Sequence, residues 1–393
     1  MVNFAIIGCG KIGVRHINFL KNIDGIRILA VTDVIPERAR EAAEAANAVA
    51  YTDYKSLLTD KNIDVINICT PTGLHAQMAV DALNAGKHVI CEKPMALYVA
   101  DANKMIEAAK KNRKHLFIVK QNRFNAPIKA VREAINKNLL GKIYTISANV
   151  IWNRRPDYFT EEPWRGTRDL DGGALATQAS HFLDVMQWLG GPISSVFAKQ
   201  ETLLHNIETE DTGALILKFD SGALGTMYYT ICAYNKNIEG SLTILGSKGS
   251  VKIGGEYLNK IEHWNVEGYP LPQNSEELSP ANEYGSYRGS ASKHDFVFRE
   301  AIKKIIGDEN TSHVDGEEAK KSVELIEAAR ISSQTGKEIF LPLQSEKESN
   351  SKILDIKEIK QSQSDIINKE SIDTNYSDYL NVVNRYLKER SGN

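Results

Sequence analysis

A glycine-rich turn beginning at residue 8 constrains the fold of this chain more than any other feature. It follows the apolar run Phe4 to Ile7 and precedes a stretch with helical spacing. In this context the first glycine permits a tight turn, the second lets a pyrophosphate approach the backbone, and the third lets helix and strand pack closely. The turn therefore predicts a dinucleotide-binding sheet whose first cofactor contacts are Gly8, Gly10, Lys11, Ile12 and Gly13.

Asp33 stands at the end of the next apolar run, twenty residues after Gly13. A carboxylate at this position accepts both ribose hydroxyls of a dinucleotide and repels a 2′-phosphate. NAD is therefore the expected cofactor rather than NADP. Arg38 lies nearby and could soften that preference, although a solvated helix position is the alternative interpretation for it.

Short apolar runs alternate with longer stretches of helical periodicity through about residue 120. This alternation is typical of parallel strands joined by crossover helices. The predicted strands are Phe4 to Ile7, Ile26 to Val31, Val65 to Ile68, His88 to Cys91 and Leu116 to Val119. The predicted helices cover about 11–22, 36–47, 73–85 and 98–112. Residues 1–122 are thus predicted to form a doubly wound Rossmann domain.

The sequence changes character after a predicted helix near 127–138. Segments rich in Ile, Val, Thr and Tyr then follow one another, with turns and without helical crossovers between them. They cover 142–153, 194–204, 211–219, 223–233, 239–245, 249–254 and 260–265. One helix interrupts them near 174–189, and two more complete the folded part at about 290–306 and 316–335. Residues 123–343 are therefore predicted to form an α+β domain around a large, mostly antiparallel open sheet.

The second sheet and the end of the chain each present a surface for association. A broad open sheet with helices on one side leaves an apolar face to cover, so we expect a homo-oligomer, either a dimer or a tetramer. Polar residues dominate 344–393, which predicts a flexible tail. Its last part has the spacing of one amphipathic helix, at Tyr379, Leu380, Val382, Val383, Tyr386 and Leu387. That helix is expected either to dock on this protein or a sister subunit, or to bind a partner.

Charge and composition exclude several classes of function. The chain has 48 Lys plus Arg and 50 Asp plus Glu, a formal charge of −2, which leaves no basic field for nucleic acid. We find neither the run of about 18 apolar residues that spans a membrane nor a signal peptide, and therefore expect a cytoplasmic protein. The four cysteines lack a CxxC pair or zinc-ligand spacing, so neither a disulfide nor a bound metal is expected.

Two groups of polar residues follow predicted strands of the first domain. Thr70 and Pro71 lie just before His75, and Glu92-Lys93-Pro94 ends the next strand. Ligands of open α/β sheets bind beyond such strand ends. Lys93 in this position could polarise or deprotonate a substrate hydroxyl if its surroundings lower its pKa, the alternative being a surface lysine. His75 is either a cofactor contact or a packing residue at a helix N-terminus.

A polar stripe marks the helix predicted from Ala174. Thr177 and His181 are four residues apart and Thr177 and Asp184 are seven apart, so all three are predicted to share one face. Histidine side chains ordinarily titrate near neutrality, so His181 could take the proton of a hydroxyl, or it could be a satisfied buried histidine. Four further residues are predicted either to bind a substrate carboxylate or diphosphate, or to be loop surface groups: Arg123, Arg154, Arg155 and Tyr158.

These motifs together resemble the Gfo/Idh/MocA family, the relatives of glucose–fructose oxidoreductase and inositol dehydrogenase, over about residues 1–343. The resemblance implies an NAD-dependent dehydrogenase in which Lys93 and His181 work at the sugar carbon being oxidised. It also implies a set of further cofactor contacts, which are Thr70, Pro71, His75, Glu92, Gln121, Trp164 and Arg165.

One position departs from the family pattern. Many members have Asp four residues before the histidine, whereas this chain has Thr177, followed by Gln178. The surrounding pattern is most similar to the subgroup that oxidises C3 of UDP-N-acetylglucosamine or its uronic acid, with Thr177 and Gln178 in the substrate site. That resemblance implies a 3-keto sugar nucleotide for a following aminotransferase in surface-polysaccharide synthesis, and in some members regeneration of NAD in place by 2-oxoglutarate. Dehydrogenation of inositol or a free sugar, and a non-catalytic NAD-binding sensor, are the alternatives.

Overall fold

The computed structural model describes residues 1–275, 282–283, 285, 287–289 and 293–343. Two large β-sheets with their packing helices account for most of this part of the chain, and a separate two-stranded pair adds to them. No helix within the described ranges is both long and apolar enough to cross a membrane. The tail and the short helix predicted for 344–393 lie outside the described residues.

The first sheet has six parallel strands in the order β3-β2-β1-β4-β5-β6. The strands are β1 (Val2–Ile7), β2 (Ile26–Thr32), β3 (Val49–Tyr51), β4 (Val65–Ile68), β5 (His88–Cys91) and β6 (Leu116–Ile118). The helices are α1 (Lys11–Leu20), α2 (Pro36–Ala46), α3 (Lys55–Leu58), α4 (Thr72–Asn84) and α5 (Val99–Asn112). The central strands are buried because helices cover both faces of the sheet. The predicted Rossmann fold is confirmed, and the short β3 and α3 are additions to it.

The second sheet has eight strands in the order β13-β12-β11-β7-β10-β9-β8-β16. Its strands are β7 (Ile143–Ile151), β8 (Ile193–Glu201), β9 (Thr212–Phe219), β10 (Leu224–Thr230), β11 (Glu239–Gly246), β12 (Gly249–Gly254), β13 (Lys260–Val266) and β16 (Ile339–Phe340). Between the last two lie β14 (Asn282–Glu283) and β15 (Arg288–Gly289), a separate two-stranded pair. The predicted mostly antiparallel sheet is confirmed, with β7 and β10 as a parallel pair.

Helices cover one face of the second sheet and leave the other open. The helices that follow the first domain along the chain are α6 (Ala126–Asn136), α7 (Pro156–Thr160), α8 (Ser180–Gly190), α9 (His294–Ile305) and α10 (Gly316–Thr335), and α9 among them packs on the first sheet. Burial alternates residue by residue along β9, as expected for a sheet packed on one side. The open face exposes the apolar side chains of Ile216, Leu224 and Tyr228. The oligomer interface expected on this face stays a prediction.

The C-terminal helices return to the first sheet. Phe298 on α9 is fully buried in the same apolar cluster as Phe4 and Ile6 of β1. Further along, the Ile118 N–H donates to the Val314 carbonyl at 2.9 Å, just before α10. The boundary predicted at 122/123 does not anticipate this return, because sequence periodicity carries no information about long-range packing.

The helix predicted at 174–189 does not begin as an α-helix. Leu175–Ala179 forms a π-helical turn, and α8 continues from Ser180. At the first residue of the turn, the Leu175 N–H donates to the Glu210 carboxylate at 2.8 Å. A π turn changes the angular spacing of the residues after it and is common at functional sites. The predicted α-helical spacing therefore fails between residues 177 and 184.

The return of α9 can be tested by truncating its buried ring. Phe298→Ala is expected to lower the free energy of unfolding by about 3–5 kcal/mol, because a filled core position becomes a cavity. Phe296→Ala, on the same helix but 42% exposed, is the control and should cost about 1 kcal/mol or less. Urea denaturation followed by circular dichroism measures both. Equal, small losses would contradict the packing of α9 on the first sheet.

Candidate active site

A cleft of about 780 Å³ runs from the glycine turn to the π turn, between the two sheets. It gathers most of the residues predicted from the sequence. Those lining it are Gly8, Gly10, Lys11, Ile12, Asp33, Thr70, Pro71, His75, Glu92, Lys93, Gln121, Arg154, Tyr158, Trp164, Arg165, Thr177, Gln178 and His181. Gly13, Arg123 and Arg155 do not line the cleft.

The three motif glycines have distinct environments that fit a bound dinucleotide. Gly8 has a φ of +93°, a conformation that favours glycine. A Cβ on Gly10 would meet no atom within 4 Å, so its backbone is open to the cleft. A Cβ on Gly13 would lie 1.9 Å from the Gly8 carbonyl oxygen. Gly13 therefore allows α1 to pack closely against the turn, although it does not line the cleft. The turn thus leaves room for phosphates beside its backbone.

Asp33 is held in place at the ribose end of the cleft. Its two carboxylate oxygens accept the N–H groups of Cys9 at 2.7 Å and Ile35 at 2.9 Å. Burial raises its pKa above the ordinary value, against the effect of these bonds. Arg38 pairs with Glu162 of the second domain at 2.9 Å, so it is not simply a solvated helix residue. The pairing offsets the charge through which Arg38 would attract a 2′-phosphate.

A buried carboxylate lies beneath the centre of the cleft. Glu92 Oε1 lies 3.1 Å from His16 Nε2 and 3.4 Å from His294 Nε2, and Glu92 Oε2 accepts the Lys93 N–H at 3.0 Å. Burial alone would raise the pKa of Glu92, but the two imidazoles outweigh burial and hold it well below its ordinary value. Glu92 is therefore a fixed negative charge beside Lys93.

Lys93 reaches across the cleft to the π turn. Its Nζ donates to the Thr177 carbonyl at 2.7 Å. Burial lowers the pKa of Lys93; the negative charge of Glu92 opposes this, and the positive charges of Lys120 and Arg154 add to it. The ammonium is thus held at one position in a buried part of the site, where its charge acts strongly on a bound substrate.

His181 faces the same space as Lys93. Burial lowers its pKa well below the ordinary value, and the positive charges of Lys93 and Lys120 lower it further. The ring is therefore neutral at neutral pH. Its Nε2 lies 3.3 Å from the Gln121 amide nitrogen, and the Gln121 Oε1 is buried without a hydrogen-bond partner among the described residues. A neutral imidazole and an unsatisfied amide oxygen here suit a site that binds a polar ligand.

Arg154 is a buried cation without an acidic partner. It is 3% exposed, and its Nη1 donates to the Asn153 carbonyl at 2.7 Å. In the described part of the chain its Nε has no hydrogen-bond partner, and no carboxylate pairs with its guanidinium. The rings of Trp152, Tyr158 and Tyr287 surround it, with centroids 5.3, 5.4 and 4.8 Å from the guanidinium carbon. A buried charge is costly unless paired, so this site is suited to an anionic ligand.

Tyr158 connects Arg154 to the rest of the predicted set. The Gln178 amide donates to the Tyr158 hydroxyl at 2.9 Å, and Arg165 donates to the Tyr158 carbonyl at 2.7 Å. The Arg165 guanidinium also lies 4.1 Å from the centre of the Tyr158 ring. Tyr158 thus joins the segment carrying Trp164 and Arg165 to the π turn.

Two predicted arginines lie away from the cleft. Arg123 makes two 2.7 Å bonds to Asp184 and a further one to Glu318 at 3.1 Å, so its charge is paired with carboxylates of the protein itself. Arg155 has an exposed side chain that pairs with Asp157. Both are therefore left out of the substrate site, and Asp184 faces Arg123 rather than sharing a face with His181.

His75 and Thr177 both line the cleft, and each is held there by backbone carbonyls. The two ring nitrogens of His75 each lie 2.8 Å from a backbone carbonyl, of Pro94 and Thr70, so the ring ties two strand-end loops together. Thr177 turns its hydroxyl to the Gly173 carbonyl at 2.8 Å and meets Lys93 through its own carbonyl. Backbone partners of this kind leave no signature in the sequence.

Several residues of the cleft escape sequence reasoning. Glu162 lies two residues before Trp164 in the sequence, lines the cleft and forms an ion pair with Arg38 of the first domain. Trp152, Tyr287 and His294 also line the cleft. Trp152 immediately precedes the Asn153-Arg154 pair and could have been found by its position. His294 has no local signal, because α9 reaches the site only through the return of the chain.

Two buried carboxyls behind the π turn make stability depend on pH. Burial raises the pKa of Asp171 to about 7. The hydrogen bond from the Gly166 N–H opposes this rise, and the negative charge of Glu210 adds to it. Its Oδ1 is buried and without a hydrogen-bond partner among the described residues. The pKa of Glu210 is also raised to about 7 by burial. Between their ordinary values and pH 7 the folded protein holds protons that the unfolded chain has released, so stability falls as pH rises.

Asp171→Asn removes one of the two carboxyl groups whose protonation makes the stability depend on pH. Between pH 5 and pH 7 the free energy of unfolding of the variant should then fall less steeply than that of the wild type. The two slopes should differ by about 1.4 kcal/mol per pH unit at most. The variant should be more stable than the wild type at pH 8, because the buried charge is gone. Urea denaturation at pH 5, 6, 7 and 8 measures both effects. A variant less stable than the wild type at pH 8 would contradict this assignment.

Comparisons with known proteins agree with this architecture. A family model described as an oxidoreductase family with an NAD-binding Rossmann fold matches residues 2–120, and a GFO/IDH/MocA C-terminal domain model matches residues 128–252. The myo-inositol 2-dehydrogenase of Thermotoga maritima is 32% identical over 259 residues, which cover 64% of this chain and 74% of the relative.

Two solved structures are similar to this chain over most of its length. The WlbA dehydrogenase of Chromobacterium violaceum, in complex with NADH and UDP-GlcNAcA, is 39% identical with a TM-score of 0.81, over 88% of this chain and 97% of the other. The WlbA dehydrogenase of Bordetella pertussis, in complex with the same two ligands, is 35% identical with a TM-score of 0.79, over 87% and 99%.

Proposed function

Since this chain belongs to the Gfo/Idh/MocA family of oxidoreductases, we propose that it oxidises the C3 hydroxyl of UDP-N-acetylglucosaminuronic acid (UDP-GlcNAcA) to a ketone. Family membership makes it an NAD-dependent sugar dehydrogenase, with the Rossmann domain as the NAD-binding domain. The product of the proposed reaction is a 3-keto sugar nucleotide. A ketone at that carbon is a suitable substrate for an aminotransferase in the synthesis of a diamino sugar.

The buried, unpaired guanidinium of Arg154 is the observation that carries the proposal. An anionic substrate group would supply the partner that the described carboxylates do not. Arg154 and Lys93 line the same cleft, and the charge of Arg154 lowers the pKa of Lys93. An anion bound by Arg154 is therefore expected close to the reacting carbon rather than at the far end of the nucleotide. A carboxylate on the sugar ring meets this condition. The WlbA dehydrogenases solved with UDP-GlcNAcA support the same choice.

The proposed chemistry uses Lys93 and His181 on the same hydroxyl. Neutral His181 accepts the hydroxyl proton, and the Lys93 ammonium stabilises the negative charge that develops on the oxygen. NAD, when bound, accepts the hydride that leaves the carbon. The Thr177 carbonyl fixes the Lys93 amine, so the two groups are positioned before the substrate arrives.

Oxidation of an inositol is the second candidate, supported by the 32% identity to a myo-inositol 2-dehydrogenase. An inositol is uncharged and would leave Arg154 without a counter-ion. Thr177 also stands where the family resemblance places an Asp in many members. These two observations favour the sugar nucleotide.

A turnover assay at 340 nm tests the proposal. Purified protein with NAD is mixed with UDP-GlcNAcA, UDP-N-acetylglucosamine or myo-inositol, each with and without 2-oxoglutarate. NADH is expected with UDP-GlcNAcA, or bound NADH is expected to be reoxidised by 2-oxoglutarate. Lys93→Ala and His181→Ala should each lower kcat by about 100-fold or more, since each removes a group that acts on the proton or the oxygen. Turnover of myo-inositol alone would contradict the proposal and favour the second candidate.

Removing the Arg154 guanidinium tests the choice of an acidic sugar. Arg154→Ala is expected to lower kcat/KM for UDP-GlcNAcA by about 100-fold, because a buried charge-assisted contact is lost. The loss for UDP-N-acetylglucosamine should be at least tenfold smaller, since that sugar has no carboxylate. Arg299→Ala, at an exposed position of α9, is the control. Equal losses for both sugars would place Arg154 at the diphosphate instead.

A further inference from the structure

We propose that His205 is a positioning residue for Arg154, and that the loop 202–210 between β8 and β9 braces the substrate end of the cleft. His205 does not line the cleft itself. The inference rests on the proposed function, because it takes Arg154 as the group that binds the substrate carboxylate. It adds a residue that acts through Arg154 and not on the substrate.

The backbone of Arg154 is fixed on both sides. Its N–H donates to the Ile231 carbonyl at 2.9 Å, just beyond β10. Its carbonyl accepts the His205 Nε2–H at 2.8 Å. The first bond continues the pairing of the sheet, whereas the second comes from a loop and depends on one side chain. Together they set the direction in which the Arg154 side chain leaves the backbone.

His205 is held in turn by Asp211. The Asp211 carboxylate accepts the N–H groups of Leu203 at 2.9 Å, Leu204 at 2.9 Å and His205 at 3.0 Å. Burial would raise the pKa of Asp211, but these backbone bonds outweigh burial and hold it well below its ordinary value. The same carboxylate lies 3.1 Å from His205 Nδ1. The ring therefore lies between an ionised carboxylate and the Arg154 carbonyl.

The loop also contacts the two segments next to Arg154. The His205 ring packs against Phe159, at 4.9 Å between ring centres, and Phe159 follows Tyr158 on α7. The Gly166 carbonyl accepts the Glu208 N–H at 3.0 Å, one residue after Arg165. The loop 202–210 thus supports the backbones that carry Arg154, Tyr158 and Arg165.

The contacts of His205 are expected to affect the binding of substrate and not the chemical step. Loss of the His205 ring leaves the Arg154 carbonyl without that donor and allows the guanidinium to leave its position. Lys93 and His181 keep their own partners, the Thr177 carbonyl and the Gln121 amide, and neither of these bonds involves His205. The loop meets the π turn through Glu210, which accepts the Leu175 N–H and does not depend on the His205 ring. Substrate affinity should therefore fall while the rate of the bound complex is retained.

Steady-state kinetics with UDP-GlcNAcA and NAD tests the inference in three variants. His205→Ala is expected to raise KM for UDP-GlcNAcA about tenfold, with kcat and the Kd for NADH within about twofold of the wild type. His205→Gln should recover part of the affinity, because its amide retains an N–H donor. His263→Ala, which removes an exposed histidine on β13, is the control. Circular dichroism and thermal melting establish that each variant is folded.

The outcomes distinguish this inference from the proposed function. A wild-type protein that neither binds nor oxidises UDP-GlcNAcA overturns the proposed function, and the inference with it. A wild type that uses UDP-GlcNAcA while folded His205→Ala has the same KM overturns the inference alone. A folded His205→Ala that loses kcat and NADH affinity together with substrate affinity also overturns it. If His205→Ala does not fold, His205→Gln with an unchanged kcat and a raised KM still supports the inference, and an unchanged KM overturns it.

Discussion

The hydrogen bond from Lys93 to the Thr177 carbonyl joins the two domains at the centre of the cleft. The Thr177 carbonyl that accepts this bond belongs to the π turn Leu175–Ala179. Glu92, beneath Lys93, is fixed by imidazoles from α1 and α9. The position of one amine thus depends on both sheets and on the C-terminal return of the chain. His181 and Lys93 line the same cleft, as the proposed reaction at one substrate hydroxyl requires.

The buried cations of this region differ in how they are balanced. Arg123 and Lys120 both face Asp184, at 2.7 and 3.4 Å, and form a closed internal network. Arg154 has rings around it and a neighbouring carbonyl, but no carboxylate among the described residues. Burying a charge is costly, so an unpaired cation is retained where a ligand supplies the counter-charge. Because of this contrast, Arg154 is the arginine that we propose as the substrate contact.

Much of the fold follows from local sequence patterns. The glycine turn, the alternation of apolar runs with helical segments, and the later run of strands predict both sheets, since each pattern reflects burial within one element. The motif residues Gly8, Asp33 and Lys93 line one cleft because parallel strands end at the same edge of a sheet. His181 reaches the same cleft from α8 of the second domain. What the sequence does not predict depends on long-range packing. The π turn, the support of Glu92 by His294 and the pairing of Arg123 with Asp184 all arise from elements far apart in the chain.

The central claim is that Arg154 receives the carboxylate of a sugar acid. The most direct measurement is a crystal structure of the protein with NADH and UDP-GlcNAcA, which gives the distance from the sugar carboxylate to the Arg154 guanidinium. Our account predicts a sugar carboxylate within about 3 Å of that guanidinium, with the C3 hydroxyl between Lys93 and His181. A guanidinium that contacts only water or protein groups, with the carboxylate bound elsewhere, would contradict it.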